Sequence, residues 1–310
     1  MVVAQFLLTF REGLEAALIV GIVVAYLTKV GRSDLRRTVY VGSAAAVVTS
    51  AALGIGIAVW AGVLSGWQLE AFEGIAALVA VAVLTYMIFW MARNAQKLRG
   101  ELEQKIDLSL SQGAVLGIAV VAFVAVFREG VETVLFLSPY AVADPAATAV
   151  AVIVAIGVVL ALAYLVFRGM YRLDARKLFT YTSLLLIVFA AGLVASGVHA
   201  LNEVYEETGY GIPPIIGPVW DLNPPVPPGG PIPPLHEAGA IGSVLASLFG
   251  YNGDPSLTEV VAYFTYLAVA GTFALWTYGP GRVRAGMLRV ARALRVVARE
   301  PAAGGHAFDR

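Results

Sequence analysis

Residues 10–20 read FREGLEAALIV, inside an apolar run that extends from residue 1 to residue 28. The pattern returns as FREGVE at residues 127–132, again inside an apolar run. A charge at the centre of a membrane helix costs about 2.5 to 3.5 kcal/mol, so six unpaired charges would cost on the order of 15 kcal/mol. Such charges are tolerated where they are paired, face the protein interior and serve a function. The two copies of this motif therefore indicate membrane helices whose charged residues face the protein interior and form a functional site.

The charged residues of each copy share one helix face. Glu12 and Glu15 are three residues apart, and Arg11 lies one turn from Glu15. The second copy repeats this spacing with Arg128, Glu129 and Glu132. Four carboxylates and two guanidiniums leave an excess of negative charge, which predicts a cage for a cation. We expect the four Glu residues to be the metal ligands and the two Arg residues to be positioning counter-charges.

A glycine lies between the acids of each copy, at Gly13 and Gly130. Small residues let membrane helices approach one another closely. We therefore expect these two glycines to mark the place where the two motif helices come closest.

The composition is that of an integral membrane protein. The chain of 310 residues is 59% hydrophobic and 14% charged, with a mean hydropathy of +0.80, whereas soluble domains are roughly 45 to 50% apolar and 25% charged. A net charge of +0 argues against a nucleic-acid partner. The absence of cysteine removes disulfides, thiolate ligands and thiol redox chemistry.

Seven apolar stretches are long enough to cross a bilayer, which takes about 20 helical residues. They cover residues 3–28, 38–64, 71–92, 113–138, 146–167, 178–200 and 258–279. The sequence therefore predicts an all-α integral membrane protein with seven transmembrane helices.

The cations predict the orientation. Apart from Arg11 and Arg128, all of the 21 Lys and Arg residues follow spans one, three, five and seven. Because cytoplasmic loops carry the excess of Lys and Arg, we expect the N-terminus outside and the C-terminus in the cytoplasm. Trp60 and Trp67 then lie near the outer interface, and Trp90 and Trp276 near the inner one.

This orientation places the two motifs on antiparallel helices. Spans one to three and four to six then form two inverted three-helix repeats, an architecture in which transporters bind substrate near the bilayer midplane. The expected organisation is a first repeat at 1–105, a second repeat at 106–200, an outer Pro-rich acidic loop at 201–257, a seventh helix at 258–280, and a cytoplasmic basic amphipathic tail at 281–310.

Further candidate ligands lie at the outer ends of the spans. Glu70 and Glu73 begin span three, where they are either an access site for the ion or solvated carboxylates favoured by the helix dipole. His199 and Glu203 are four residues apart at the end of span six and form a candidate ligand pair. Acids of the outer loop make this face negative, which concentrates cations there.

The two motifs resemble those of the high-affinity iron permeases of the iron/lead transporter family. That family includes the fungal ferroxidase-coupled permease and the bacterial permease of the Efe iron-uptake system. Two Arg-Glu-Gly-x-Glu copies in a seven-span chain are a specific signal, and the resemblance covers nearly the whole chain. It implies iron import across a plasma membrane, with Arg11, Glu12, Glu15, Arg128, Glu129 and Glu132 in translocation. The pair Glu73-Gly74 also resembles a family feature.

The resemblance also implies an extracellular or periplasmic iron-handling or ferroxidase partner, and a homo-oligomer is compatible with it. Iron is then the transported substrate rather than a resident cofactor. From the residues alone, oxygen ligands suit Fe(III), Fe(II), Mn(II) and other hard cations equally. Two other functions compete with transport. A di-iron enzyme would use Glu-x-x-His on two helices, whereas this chain has Glu-x-x-Glu, and a metal sensor would need a signalling domain.

Overall fold

The computed structural model describes residues 2–167, 175–215, 217–226, 232–237, 239 and 241–278. The predicted basic tail at 281–310 lies outside these residues. The described part of the chain is helical and contains no strand. Eight α-helices follow one another: α1 (Val2–Lys29), α2 (Arg36–Ala61), α3 (Trp67–Ser111), α4 (Val115–Ala143), α5 (Pro145–Phe167), α6 (Ala175–Thr208), α7 (Gly242–Phe249) and α8 (Leu257–Tyr278).

Five helical segments are long and apolar enough to cross a membrane. They are Ser33–Ala61, Trp67–Asn94, Pro145–Phe167, Thr180–Thr208 and Leu257–Thr277. The remaining two long helices, α1 and α4, are those that carry the motif charges. Each of the seven predicted apolar stretches overlaps one of the seven long helices.

Each motif helix packs mainly on a helix from the other predicted three-helix repeat. α1 packs mainly on α5, α4 packs mainly on α2, α3 packs on α6, and α1 and α4 also contact each other. The main apolar core lies among α1, α3, α4, α6 and α8, with Leu8, Leu84, Phe136, Leu193 and Ala270 among its buried members. The two motif helices are therefore held in the middle of the bundle.

Two glycines allow neighbouring helices to approach closely. A Cβ on Gly42 of α2 would overlap the carbonyl oxygen of Ala119 in α4. A Cβ on Gly74 of α3 would lie 3.0 Å from the carbonyl oxygen of Gly197 and 2.9 Å from Cγ of Leu201, both in α6. The Gly of the Glu73-Gly74 pair is therefore required by the packing of α3 on α6.

α3 is a helix of 45 residues, about twice as long as its apolar stretch. Its polar continuation is rich in Gln, Lys, Leu and Glu, which are good helix formers. Ile106 packs in a second apolar cluster with Leu27 and Ile118, and the Tyr26 hydroxyl donates to Asp107 over 2.6 Å. The expected repeat boundary after residue 105 consequently falls inside α3, and the turn to α4 comes at 112–114.

The segment between α6 and α8 folds back onto the bundle. We call the end of the bundle that holds the 62–66 turn and the described residues between α6 and α8 the loop end, since Gly66 lies beside Glu207 there. The backbones of Gly250 and Gly192 touch, and Gly250 has a φ of 65°, which favours glycine. Because Gly192 is near the midpoint of α6, the chain after α7 reaches halfway along that helix. The sequence predicts a Pro-rich acidic loop at 201–257, whereas α6 continues to Thr208 and the short helix α7 lies within the predicted loop.

Candidate metal site

The first motif copy is buried and internally paired. Arg11 Nη1 donates to Oε1 of Glu12, and Arg11 Nη2 lies 2.8 Å from Oε1 of Glu15. The relative exposure of the Arg11 side chain is 2%. A guanidinium is a rigid fork of donors, so one Arg fixes the spacing of two carboxylates. The apolar core around Leu8 on the same helix excludes solvent from this group.

The second copy has the same pairing with a more exposed arginine. Arg128 Nε lies 3.1 Å from Oε1 of Glu132 and 3.4 Å from Oε1 of Glu129. The side chain of Arg128 is 41% exposed, whereas Glu129 is buried. The two copies are therefore alike in their contacts and unequal in their burial.

The phenylalanine that precedes each motif stacks on another phenylalanine one turn earlier. Phe6 and Phe10 have ring centroids 5.7 Å apart with planes inclined by 13°. Phe123 and Phe127 have centroids 5.4 Å apart with the same inclination. The likeness of α1 and α4 thus extends one turn beyond the motif.

The structure brings acids of both copies together. One carboxylate oxygen from each of Glu12, Glu15 and Glu129 lies within 4.8 Å of the other two. All three residues are buried. Glu132 stands beside this group, with Oε1 held by Arg128. The four predicted ligands therefore form a three-carboxylate group with a fourth carboxylate next to it.

Several oxygens of these acids lack hydrogen-bond partners. Within the described residues, Oε2 of Glu12, Glu15, Glu129 and Glu132 makes no hydrogen bond. A buried polar atom without a partner is unfavourable by about 1 to 3 kcal/mol, and by more when it is charged. Four such atoms in two neighbouring motifs are the donor set that a cation would satisfy.

The glycines of the motifs contact other helices than expected. A Cβ on Gly13 would lie 3.1 Å from Cγ2 of Val159 in α5, and a Cβ on Gly130 would overlap Oγ of Ser50 in α2. The expectation that Gly13 and Gly130 mark the closest approach of α1 and α4 is therefore wrong. The acids of each motif point to the other motif, so the glycine between them faces a different neighbour.

The further candidate ligands at the outer ends of the spans lie at the loop end, away from the buried carboxylates. Glu70 and Glu73 lie close enough to Glu203 to interact with it electrostatically. His199 Nε2 lies 3.5 Å from Oε1 of Glu203, and His199 Nδ1 lies 3.1 Å from Oε1 of Glu259. These residues form an acidic cluster, in which Glu203 and Glu259 contact the imidazole of His199.

Sequence reasoning missed Glu259. This buried carboxylate accepts hydrogen bonds from the Ser256 hydroxyl over 2.7 Å and from the Asn252 amide over 2.9 Å, in addition to its contact with His199. It joins the start of α8 to α6. Its pattern in sequence is that of an ordinary helix-start acid, so only the fold reveals the contact.

Sequence reasoning also missed two residues of α3 that contact the motif arginines. Met87 Sδ accepts from Arg11 Nη1 over 3.4 Å. The ring of Trp90 lies under Arg128, with Cζ 5.0 Å from the ring centroid. The spacing of hydrophobic residues along α3 gives no sign of either contact, and Trp90 fits an interfacial belt equally well.

Known proteins are similar in sequence to this chain along most of its length. A profile of the iron permease FTR1 family matches residues 2–278. An uncharacterized protein of Archaeoglobus fulgidus is 40% identical over 264 residues, which cover 85% of this chain and 91% of that protein. The ferrous iron permease EfeU of Yersinia pestis is 35% identical over 278 residues, covering 86% of this chain and 90% of the relative.

The corresponding permease of Escherichia coli O6:H1 is 32% identical over 273 residues, covering 86% of this chain and 92% of the relative. No solved structure matches the chain. The family and these named relatives are permeases, which transport iron rather than transform a substrate chemically. The match extends over both motif helices and all of the long helices, and the chain belongs to the iron permease FTR1 family.

Proposed function

We propose that this protein imports iron across the plasma membrane through a carboxylate site that its two motifs share. Glu12, Glu15, Glu129 and Glu132 are the ligands, and Arg11 and Arg128 hold them in place. The observation that carries the proposal is the approach of Glu12, Glu15 and Glu129, from two different helices, to within 4.8 Å. The two relatives named as ferrous iron permeases support Fe(II) as the ion.

The distances suit direct coordination. Oxygen–metal bonds are about 2.0 to 2.6 Å long, so two oxygens on one ion lie at most roughly 4 to 5 Å apart. Small side-chain movements would therefore close the group around one ion. The oxygens also replace part of the hydration shell, and the ion offsets the unfavourable burial of the carboxylates. Hard oxygen donors exclude Cu(I), which favours sulfur ligands.

We propose that the protein crosses the membrane seven times, with the N-terminus outside and the C-terminus in the cytoplasm. Three features support two inverted repeats. α1 packs on α5 and α4 packs on α2, so each motif helix packs on the second helix of the other repeat, and Gly13 and Gly130 make these same two contacts. A stacked pair of phenylalanines also ends at the residue before each motif. In such repeats one half can move against the other around a shared site.

The acidic cluster at the loop end would receive the ion from outside. Glu70 and Glu73 lie near Glu203 there, Glu203 contacts His199, and the negative charge of these acids would raise the local concentration of cations. An extracellular or periplasmic iron-handling protein would deliver the ion to this surface. The cluster is thus an outer station, and the buried carboxylates are the central one.

Iron uptake into proteoliposomes tests the proposal. Purified protein should carry Fe(II) inward, and Glu12→Gln should reduce uptake at least about tenfold because the amide keeps the shape and loses the anionic ligand. Glu101→Gln, at an exposed acid far along α3, is the matched control and should transport normally. Uptake by Glu12→Gln at the level of Glu101→Gln would refute the central site. Uptake of Mn(II) in preference to Fe(II) would refute iron as the ion.

A further inference from the structure

One face of α3 contacts both motif arginines. Met87 and Trp90 are three residues apart and so lie on the same side of the helix. Met87 Sδ accepts from Arg11, and the indole of Trp90 lies against the guanidinium of Arg128. A single helix thus touches the arginine of each repeat.

The two arginines differ in what else holds them. Arg11 is buried and uses two nitrogens, one on Glu12 and the other on Glu15. Arg128 is 41% exposed, and its Nε lies 3.4 Å from Oε1 of Glu129 and 3.1 Å from Oε1 of Glu132. A long side chain that is partly exposed retains more of its rotamer freedom than a buried one, and this freedom amounts to roughly 2 kcal/mol for Arg. Arg128 therefore needs a further contact to hold one position.

The ring of Trp90 supplies that contact. Cζ of Arg128 lies 5.0 Å from the ring centroid of Trp90, within the distance of about 6 Å at which the ring quadrupole attracts a cation. Tryptophan is the strongest of the aromatic partners. The attraction is weaker at an exposed site and stronger where water is excluded, and Arg128, at 41% exposure, lies between these limits. The indole and the two carboxylates thus contact the same guanidinium group, since Nε of Arg128 lies 3.1 Å from Oε1 of Glu132 and 3.4 Å from Oε1 of Glu129.

We propose that Trp90 is a positioning residue for iron transport, which orients Arg128 and through it the carboxylates of Glu129 and Glu132. The inference rests on the proposed function, because it concerns the same carboxylate site. It assigns to α3 a role that the motifs themselves do not show. Trp90 does not contact the ion; it sets where the second pair of ligands stands relative to Glu12 and Glu15.

Substitution of Trp90 tests the proposal. Trp90→Leu should weaken uptake between about twofold and thirtyfold, the range that runs from an exposed to a desolvated cation–π contact. Trp90→Tyr should retain most of the activity, because the phenol ring also presents a π face. Phe89→Leu is the control, since Phe89 is the adjacent aromatic residue and contacts Phe273 instead. An equal loss in Phe89→Leu, or normal uptake by Trp90→Leu, would overturn the proposal.

Fluorinated tryptophan separates positioning from packing. Fluorine weakens the negative face of the indole and changes its shape little, so uptake should fall with each added fluorine in the wild-type protein. The Trp90→Tyr variant still contains the other four tryptophans and should be insensitive to the same replacement. A similar response in both proteins, or none in the wild type, would show that the electrons of this ring do not matter.

A double-mutant cycle distinguishes failure of this inference from failure of the proposed function. Thermal unfolding of the purified protein needs no transport, and Trp90→Leu and Arg128→Met should be non-additive in it. Additive shifts, with wild-type uptake intact and Glu12→Gln inactive, would overturn the role of Trp90 alone. Coupled shifts in a protein that imports no iron would support the contact and refute the proposed function.

Discussion

At the residue scale, the two arginines of the motifs differ in their burial and in their contacts. Arg11 bridges Glu12 and Glu15 from a buried position, whereas Arg128 is partly exposed and reaches Glu129 and Glu132 through Nε. The guanidinium fork matters most where two nitrogens hold two acids. A substitution that keeps the charge and removes the fork should therefore affect the two copies differently.

Arg11→Lys should impair iron uptake more than Arg128→Lys. A lysine ammonium on a flexible stem does not reproduce two fixed contacts, and the loss of one charge-assisted hydrogen bond corresponds to about 1.5 to 3 kcal/mol, or roughly tenfold or more in rate. Initial uptake rates at equal protein content check this order. If the two Lys variants transport equally well, Arg11 is a generic counter-charge and its fork has no role.

At the element scale, the contact of α1 with α5 is testable by disulfide formation. A Cβ on Gly13 would lie 3.7 Å from Cβ of Val159, which suits a disulfide. Because the chain has no cysteine, Gly13→Cys with Val159→Cys should form an intramolecular bond on mild oxidation. Mobility on non-reducing gels reports it. The pair Gly13→Cys with Gly130→Cys is the control and should stay reduced; bonding in the control alone would contradict the helix pairing.

Close packing of α2 on α4 gives a second prediction at this scale. Gly42→Ala should destabilise the protein by about 1 to 3 kcal/mol, because the added methyl group overlaps the backbone of Ala119. Gly56→Ala, on the same helix with nothing within 4 Å, should be neutral or stabilising by up to about 1 kcal/mol. Thermal unfolding in detergent compares them. A lower unfolding temperature for Gly56→Ala than for Gly42→Ala would contradict the packing.

Much of this element-level structure is predictable from sequence. Long apolar runs locate the seven long helices, since crossing hydrocarbon requires a certain length, and the paired charges identify α1 and α4 as special. The continuation of α3 to Ser111 and the return of the chain to Gly192 depend on tertiary packing, which apolar content does not encode.

The same distinction applies to the site. The motif spacing predicts which residues share a helix face, and the structure brings three of the four expected acids together. Residues such as Met87, Trp90 and Glu259 join the network through contacts between helices distant in sequence. Their side chains are common in any membrane helix, so the sequence gives no reason to select them.

At the scale of the whole molecule, the distribution of Lys and Arg predicts an outer loop end. A cysteine at Tyr210, which is 80% exposed beyond α6, should react with an impermeant maleimide added to intact cells. A cysteine at exposed Ser111, in the last turn of α3, should react only after the membrane is permeabilised. The cysteine-free parent is the background control. The opposite pattern of labelling would invert the proposed orientation.

Glu12 and Glu15 of α1 lie within 4.8 Å of Glu129 of α4, and metal binding tests most directly whether these acids hold one ion. Fe(II) affinity of the purified protein should be determined for the wild type, Glu15→Gln, Glu129→Gln and the double variant, by calorimetry without oxygen. If both acids hold one ion, the double variant should differ from the sum of the single losses by about 0.5 to 3 kcal/mol. Losses that add, one from each motif, would mean two separate sites and would contradict a site shared between the repeats.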